Sequence, residues 1–143
     1  MVTAAALERT LGGLGRSSNR SADDLRLAQA VRDGLPFAAL ERLIATKVVD
    51  EREVEAYFIP RRTLYARRNK ATLSREQSDI VVRLARIQAI ADEVFGRRDE
   101  AHAWLREANG ALGGQPPLPL LDTEEGGRLV EAVLGRIAHG IVE

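Results

Sequence analysis

Residues 50–70 read DEREVEAYFIPRRTLYARRNK, and where this stretch breaks decides the fold. Asp50 can cap a helix while Glu53, three positions on, reaches back to the Asp50 amide, the reciprocal arrangement of a capping box. Val54, Tyr57 and Phe58 then supply the buried side of a short helix. Pro60 cannot continue that helix, because its ring removes a donor and clashes with the preceding turn. The same fixed φ suits the first turn of a new one. The pattern predicts a helix, a tight turn over 58–60, and a second helix over 61–70 that leaves at a steep angle. The turn carries Phe58 and Ile59 where such motifs commonly place glycine.

The second helix, RRTLYARRNK, holds five cations, no anion and one aromatic. Like charges at helical spacing repel one another in water, and an anionic partner relieves that repulsion. Duplex DNA is the anion whose major groove admits a helix. Leu64 points the other way, into the core. Arg61, Tyr65 and Arg68 share a face by steps of four and three, with Arg62 beside them at the N-terminal end, which enters the groove. There a guanidinium donates two hydrogen bonds to guanine O6 and N7, while Thr63, Arg67 and Lys70 reach phosphates. The competing reading is a solvated cationic helix that pairs with the acids of 51–58.

Outward from this core motif, every segment reads as helix or connector. Residues 12–21, GGLGRSSNRS, read as a mobile connector behind a short arm at 3–11. Ser21 with Asp24 opens a helix whose stripe is Leu25, Ala28 and Val31, stopped by Gly34. Pro36 starts the next, with Phe37, Leu40, Leu43 and Ile44 inward and an end near Thr46. Ser74 with Gln77 begins the longest helix, where Ile80, Leu84, Ile87, Ala91 and Val94 repeat up to Gly96. A short helix over 99–108 carries Trp104 and Leu105. An irregular loop follows over 110–119, pinned by Leu118, Leu120 and Leu121. Asp122 with Glu125 caps the last helix, striped by Val130, Val133, Leu134 and Ile137 and ended by His139 and Gly140. No strand alternation occurs, so the expected class is all-α.

Composition narrows the chemistry. The 143 residues contain no Cys and only two His, His102 and His139, far apart in sequence, so neither disulfides nor metal chemistry is expected. The longest stretch without a charge, 108–121, is too short and too broken by Gly and Pro to span a membrane. No secretory leader is legible near Glu8, which makes the cytoplasm the expected address. Net charge is zero, yet residues 61–98 hold 10 basic and 4 acidic side chains, and residues 99–143 hold 3 and 8. The positive charge is therefore central and the negative charge terminal. His139 lacks any accompanying nucleophile or paired carboxylate, and no enzyme signature is found. Groove-reading helices of this size usually work in pairs, so a homodimer is expected.

The run IPRRTLYARRN, then LSREQSDIVVRLARI, EVFG, AHAWLREANGALGG and PLPLLDTEEGGRLVEAVLGRIAHG, resembles the Xre/MbcA/ParS antitoxin family of bacterial toxin–antitoxin pairs from about residue 34 onward. The resemblance implies an Xre-like helix-turn-helix part over 22–73 behind a flexible arm over 1–21. A toxin-binding and dimerisation domain with a C-terminal tail would then occupy 74–143. It also implies two partners, operator DNA and a cognate RES-domain toxin that consumes NAD, and no cofactor for the antitoxin itself. By match, Arg61, Arg62, Thr63 and Arg67 fall in the DNA-reading helix. Trp104, Asn109, Gly113, Gly114, Pro117, Leu121, Asp122, Thr123 and Gly126 carry the C-terminal signature. The final segment, Arg136, His139, Gly140, Ile141, Val142 and Glu143, is implied to cover the toxin's active-site entrance, and Trp104, flanked by His102 and Arg106, reads either as a core residue or as a further toxin contact. A stand-alone helix-turn-helix repressor is the alternative.

Overall fold

The computed structural model describes residues 2–12 and 20–140, without the side chains of residues 5, 20 and 21. The described residues form helices and turns with no strand, as the all-α reading expects. The chain divides into two compact units, Met1–Ala85 and Arg86–Glu143, and the division falls within one long helix.

In the first unit, α1 (Ala4–Thr10) is capped by the Thr3 hydroxyl, which accepts from the Ala6 amide at 3.1 Å. It lies in the stretch expected to be a flexible arm. It is helical because Leu7 and Leu11, one turn apart, are buried as α1 packs on α2 (Arg20–Asp33). The carboxylate of Glu8 is also buried and meets Arg26 at 3.3 Å, and the same guanidinium holds Asp23 at 3.0 Å. The connector over 13–19 and the Ser21 cap lie outside the described residues and side chains.

This docking corrects the predicted stripe of α2. Asp23 and Leu27 are buried, whereas Leu25 is 72% exposed, Ala28 is exposed and Val31 is half-buried. The helix turns toward α1 the side that bears the ion pair. Gly34, at φ +92, ends α2 in the left-handed conformation that its lack of a Cβ permits.

Helix α3 (Phe37–Ala45) follows Pro36 and buries Phe37, Ala39, Leu40 and Leu43, with Ile44 half-buried. Helix α4 (Glu51–Glu53) opens with the predicted capping box: Asp50 Oδ1 accepts from the Glu53 amide at 2.8 Å, and Glu53 Oε1 accepts from the Asp50 amide at 3.0 Å. It continues as a π-turn, Val54–Phe58, closed by the Ile59 amide donating to the Val54 carbonyl at 2.9 Å. The wider turn rotates the chain, so that Val54 and Ile59 are buried while Tyr57, predicted to face inward, is 43% exposed. Helix α5 (Arg61–Lys70) then leads to α6 (Arg75–Phe95), whose start carries the Ser74–Gln77 box with bonds of 2.9 and 3.1 Å. Leu84, Ile87 and Ala91 of the predicted α6 seam are buried, and Ile80 and Val94 at its ends are half-buried.

In the second unit, α7 (Arg98–Arg106) is followed by a loop that contains two 3-10 turns, Gly110–Leu112 and Leu118–Asp122, where irregular chain was expected. Leu118 and Leu121 are buried as the second turn packs on α8 (Glu124–Ala138). The cap of α8 is Thr123 and not Asp122: Thr123 Oγ1 accepts from the Gly126 amide at 3.0 Å. Asp122 is used up as the last residue of the 3-10 turn, and Thr123 is the first with extended dihedrals. Val130, Val133 and Leu134 are buried and Ile137 is half-buried. Among the described residues no helix is long and apolar enough to cross a membrane.

Candidate functional site

The basic helix is seated at both ends. At its start, Pro60 serves as N-cap with φ −55 and ψ 145, and Leu64 is buried one turn in. At its finish Ala71 adopts the left-handed conformation at φ +60. The Ala71 carbonyl accepts from the Phe37 amide at 2.9 Å, and the Leu73 amide donates to the Leu35 carbonyl at 2.9 Å. The C-terminal end of α5 is thereby stitched to the junction between α2 and α3.

Of the sequence-predicted residues, Arg61, Arg62, Tyr65, Arg68 and Lys70 are exposed, and Thr63 and Arg67 are half-buried on the flanks. Arg68 lies 5.3 Å from the centroid of the Phe37 ring and 3.5 Å from Glu51 Oε1. Arg61 approaches Glu55 Oε1 at 3.9 Å, with its side chain 87% exposed. Pairing with the acids of the preceding helix therefore exists, but in water, where such pairs contribute about 0–1 kcal/mol. Among the described residues, no ion pair engages Arg62, Arg67 or Lys70. The result is a short helix-turn-helix whose second member offers several solvated cations and a phenol to one large anion.

In the second unit, Asn109 organises the turn after α7. Its Oδ1 accepts from the Ala111 amide at 3.0 Å, its carbonyl accepts from Gly114 at 2.9 Å, and its amide donates to Gln115 at 3.2 Å. Gly113 and Gly114 have φ of +67 and +84, which this turn needs. A Cβ on Gly126 would stand 1.8 Å from the Leu120 carbonyl oxygen, so α8 packs here backbone to backbone. Trp104 is half-buried and lies 5.7 Å from the Phe95 ring. Arg136 is half-buried in the last turn of α8, and His139 and Gly140 are exposed just beyond it. Ile141, Val142 and Glu143 lie outside the described residues.

Two family models cover this arrangement. Residues 26–86 match the antitoxin Xre-like helix-turn-helix domain, and residues 91–140 match the antitoxin Xre/MbcA/ParS C-terminal toxin-binding domain. An antitoxin Xre from Pseudomonas putida is 32% identical over 120 residues, covering 83% of this chain and 75% of the relative. The chain belongs to the Xre/MbcA/ParS antitoxin family. Another antitoxin Xre, from Photorhabdus laumondii, is 36% identical across 54% of this chain and 55% of its own length. A Prs ADP-ribosylating antitoxin from a Sphingobium species is 30% identical across 77% of this chain and 76% of its own length.

Within this antitoxin-family chain, Asn109, Gly113, Gly114, Leu121, Thr123 and Gly126 have evident structural work in the loop before α8. Ala66 and Asn69, which carry no role in the motif reading, are also exposed on α5. They stand four and seven positions from Arg62, on the same side of the helix.

Proposed function

We propose that this chain is the antitoxin of a type II toxin–antitoxin pair, which neutralises a RES-domain, NAD-consuming toxin by occluding its active site and represses its own operon as a DNA-bound homodimer. It acts in the bacterial cytoplasm, associated with the nucleoid when on DNA, and neither catalyses a reaction nor needs a cofactor. The observation that carries the reading is the succession, in one chain, of a helix-turn-helix part with an exposed basic second helix and a toxin-binding domain. The contacts assigned to DNA are Arg61, Arg62, Thr63, Tyr65, Arg67, Arg68 and Lys70. Those assigned to the toxin are Trp104, Arg136, His139, Gly140, Ile141, Val142 and Glu143.

Charge supports the second assignment. A cleft that binds an anionic dinucleotide is expected to be positive, and residues 99–143 hold 8 acidic and 3 basic side chains. The Sphingobium relative's name couples that protein to ADP-ribosylation, a chemistry that consumes NAD. Co-expression with the product of the adjacent gene tests the reading. The full chain should rescue growth, while a chain stopped at Arg136, or the full chain with Ile141→Asp and Val142→Asp, should not. Rescue by all of them would remove the tail from the mechanism. A promoter fusion repressed by the wild-type chain and released by Arg62→Ala tests the second half.

A further inference from the structure

Helical geometry divides the side chains of α5 into two sets that composition alone does not separate. At about 100° per residue, Arg61 and Arg68 sit within roughly 60° of buried Leu64, not on the side opposite it as expected but on the flank beside α4, where they approach Glu55 and Glu51. Arg62 and Ala66 sit about 160° from Leu64 and Asn69 about 140°, so these three form the ridge farthest from the core. All three are exposed, and no ion pair or hydrogen bond engages the side chain of Arg62 or Asn69 among the described residues.

We infer that Arg62 and Asn69 read base edges in the major groove of a DNA duplex, and that Arg61 and Arg68 seat the helix and touch only phosphate. The inference rests on the proposed DNA-binding role of α5 and assigns the specificity within it. Arg62 presents a planar fork with the geometry of guanine O6 and N7, and the Asn69 amide matches adenine N6 and N7. Between them Ala66 offers only a methyl group, which lets the backbone approach the groove floor and contact a thymine methyl. Arg62 and Asn69 are seven positions apart, or about 10 Å along the helix. At about 3.4 Å per base on one strand, that spacing corresponds to roughly three base steps. The flank arginines lie nearer the core side of the helix and already have acidic neighbours, Glu55 and Glu51, which suits a contact that positions without discriminating.

The test selects duplexes from a random library with the full-length wild-type chain, then repeats the selection with Arg62→Lys, Asn69→Ala, Arg61→Ala and Arg68→Ala. Arg62→Lys keeps the charge and loses the fork. It should lose the preference for guanine at one position, by about tenfold or more, while affinity for unselected duplex stays within about twofold. Asn69→Ala should lose an adenine preference roughly three base pairs away. Arg61→Ala and Arg68→Ala should return the wild-type motif with weaker binding to every sequence. Thermal melts of each variant confirm that it is folded. A wild-type chain that binds no duplex sinks the DNA reading of α5 and this inference with it. A wild-type motif that survives either Arg62→Lys or Asn69→Ala unchanged, or that changes with Arg61→Ala, overturns the inference and leaves the DNA reading standing.

Discussion

The backbone amide of Leu35 donates to the hydroxyl of Ser78 at 2.8 Å, a buried hydrogen bond across 43 positions of sequence. The same hydroxyl donates to the Ser74 carbonyl at 2.7 Å, so its donor and one acceptor site are both engaged. The bond joins the α2–α3 junction to the first turn of α6, beside the Leu73–Leu35 contact that closes the end of the basic helix. Ser78→Ala would leave the Leu35 amide buried without an acceptor, at a cost of about 1–3 kcal/mol. Chemical denaturation should report a lower midpoint at unchanged slope. An unchanged midpoint would mean that another acceptor replaces the hydroxyl.

Gly34 and Ala71 face the same seam from opposite sides and should respond with opposite signs. Gly34 has φ +92, and a Cβ there would lie 2.4 Å from the Leu73 carbonyl oxygen. Gly34→Ala therefore combines left-handed strain with a backbone collision, and a loss of about 2 kcal/mol or more is expected. Ala71 already bears a side chain at φ +60, so Ala71→Gly relieves strain and should stabilise by up to about 1 kcal/mol. Thermal melts of the two variants, run side by side, should shift in opposite directions.

The elements that the sequence makes legible are those whose ends carry local chemistry. Asp50 with Glu53, Pro60, and Ser74 with Gln77 each fix a helix boundary through bonds within three or four residues, and each stands where expected. What local spacing does not encode is which side of a helix meets a partner arriving from elsewhere. Leu25, Ala28 and Val31 make a plausible stripe, yet Asp23 and Leu27 are the buried pair, because Glu8 is 18 positions from Arg26 and brings α1 to that side. Tyr57 is displaced by a π-turn whose extra residue leaves no mark in an apolar count. The basic character of α5 was legible. The helical spacing that sets Arg62 apart from Arg61 and Arg68 was legible too, and what needed the structure was that the latter two approach Glu55 and Glu51.

Two glycines of α8 offer a further pair of opposite signs. In an ordinary helix Gly→Ala stabilises by about 1 kcal/mol, through backbone entropy and propensity. Gly135 has nothing within 4 Å of an added Cβ, so Gly135→Ala should follow that rule. At Gly126 the added Cβ would fall 1.8 Å from the Leu120 oxygen, so Gly126→Ala must push the 3-10 turn off the helix start. The expected loss is about 3 kcal/mol or more, with co-expression rescue lost at elevated temperature first. Equal effects from the two substitutions would show that the α8 start does not pack against Leu120 as described.

Glu51 and Glu55 supply the last prediction, because their effect on folding and their effect on DNA binding should part company. Each lies beside a cation of α5, at 3.5 Å from Arg68 and 3.9 Å from Arg61, and both pairs are open to solvent. Neutralising either acid by Glu51→Gln or Glu55→Gln should therefore change unfolding free energy by less than about 1 kcal/mol. On DNA the same carboxylates sit next to the phosphates that α5 would approach, and like charge repels. Removing one should raise affinity for any duplex by a few-fold at low salt, with the gain fading as the Debye length falls from about 10 Å at 0.1 M toward about 3 Å at 1 M. Lys70→Ala should do the reverse, weakening all sequences alike and reducing the log-log salt slope by about 0.9. Fluorescence anisotropy across a salt series, on one selected and one unrelated duplex, measures both. If the two glutamines leave affinity unchanged at low salt, α5 does not dock on phosphate through the flank that α4 shares.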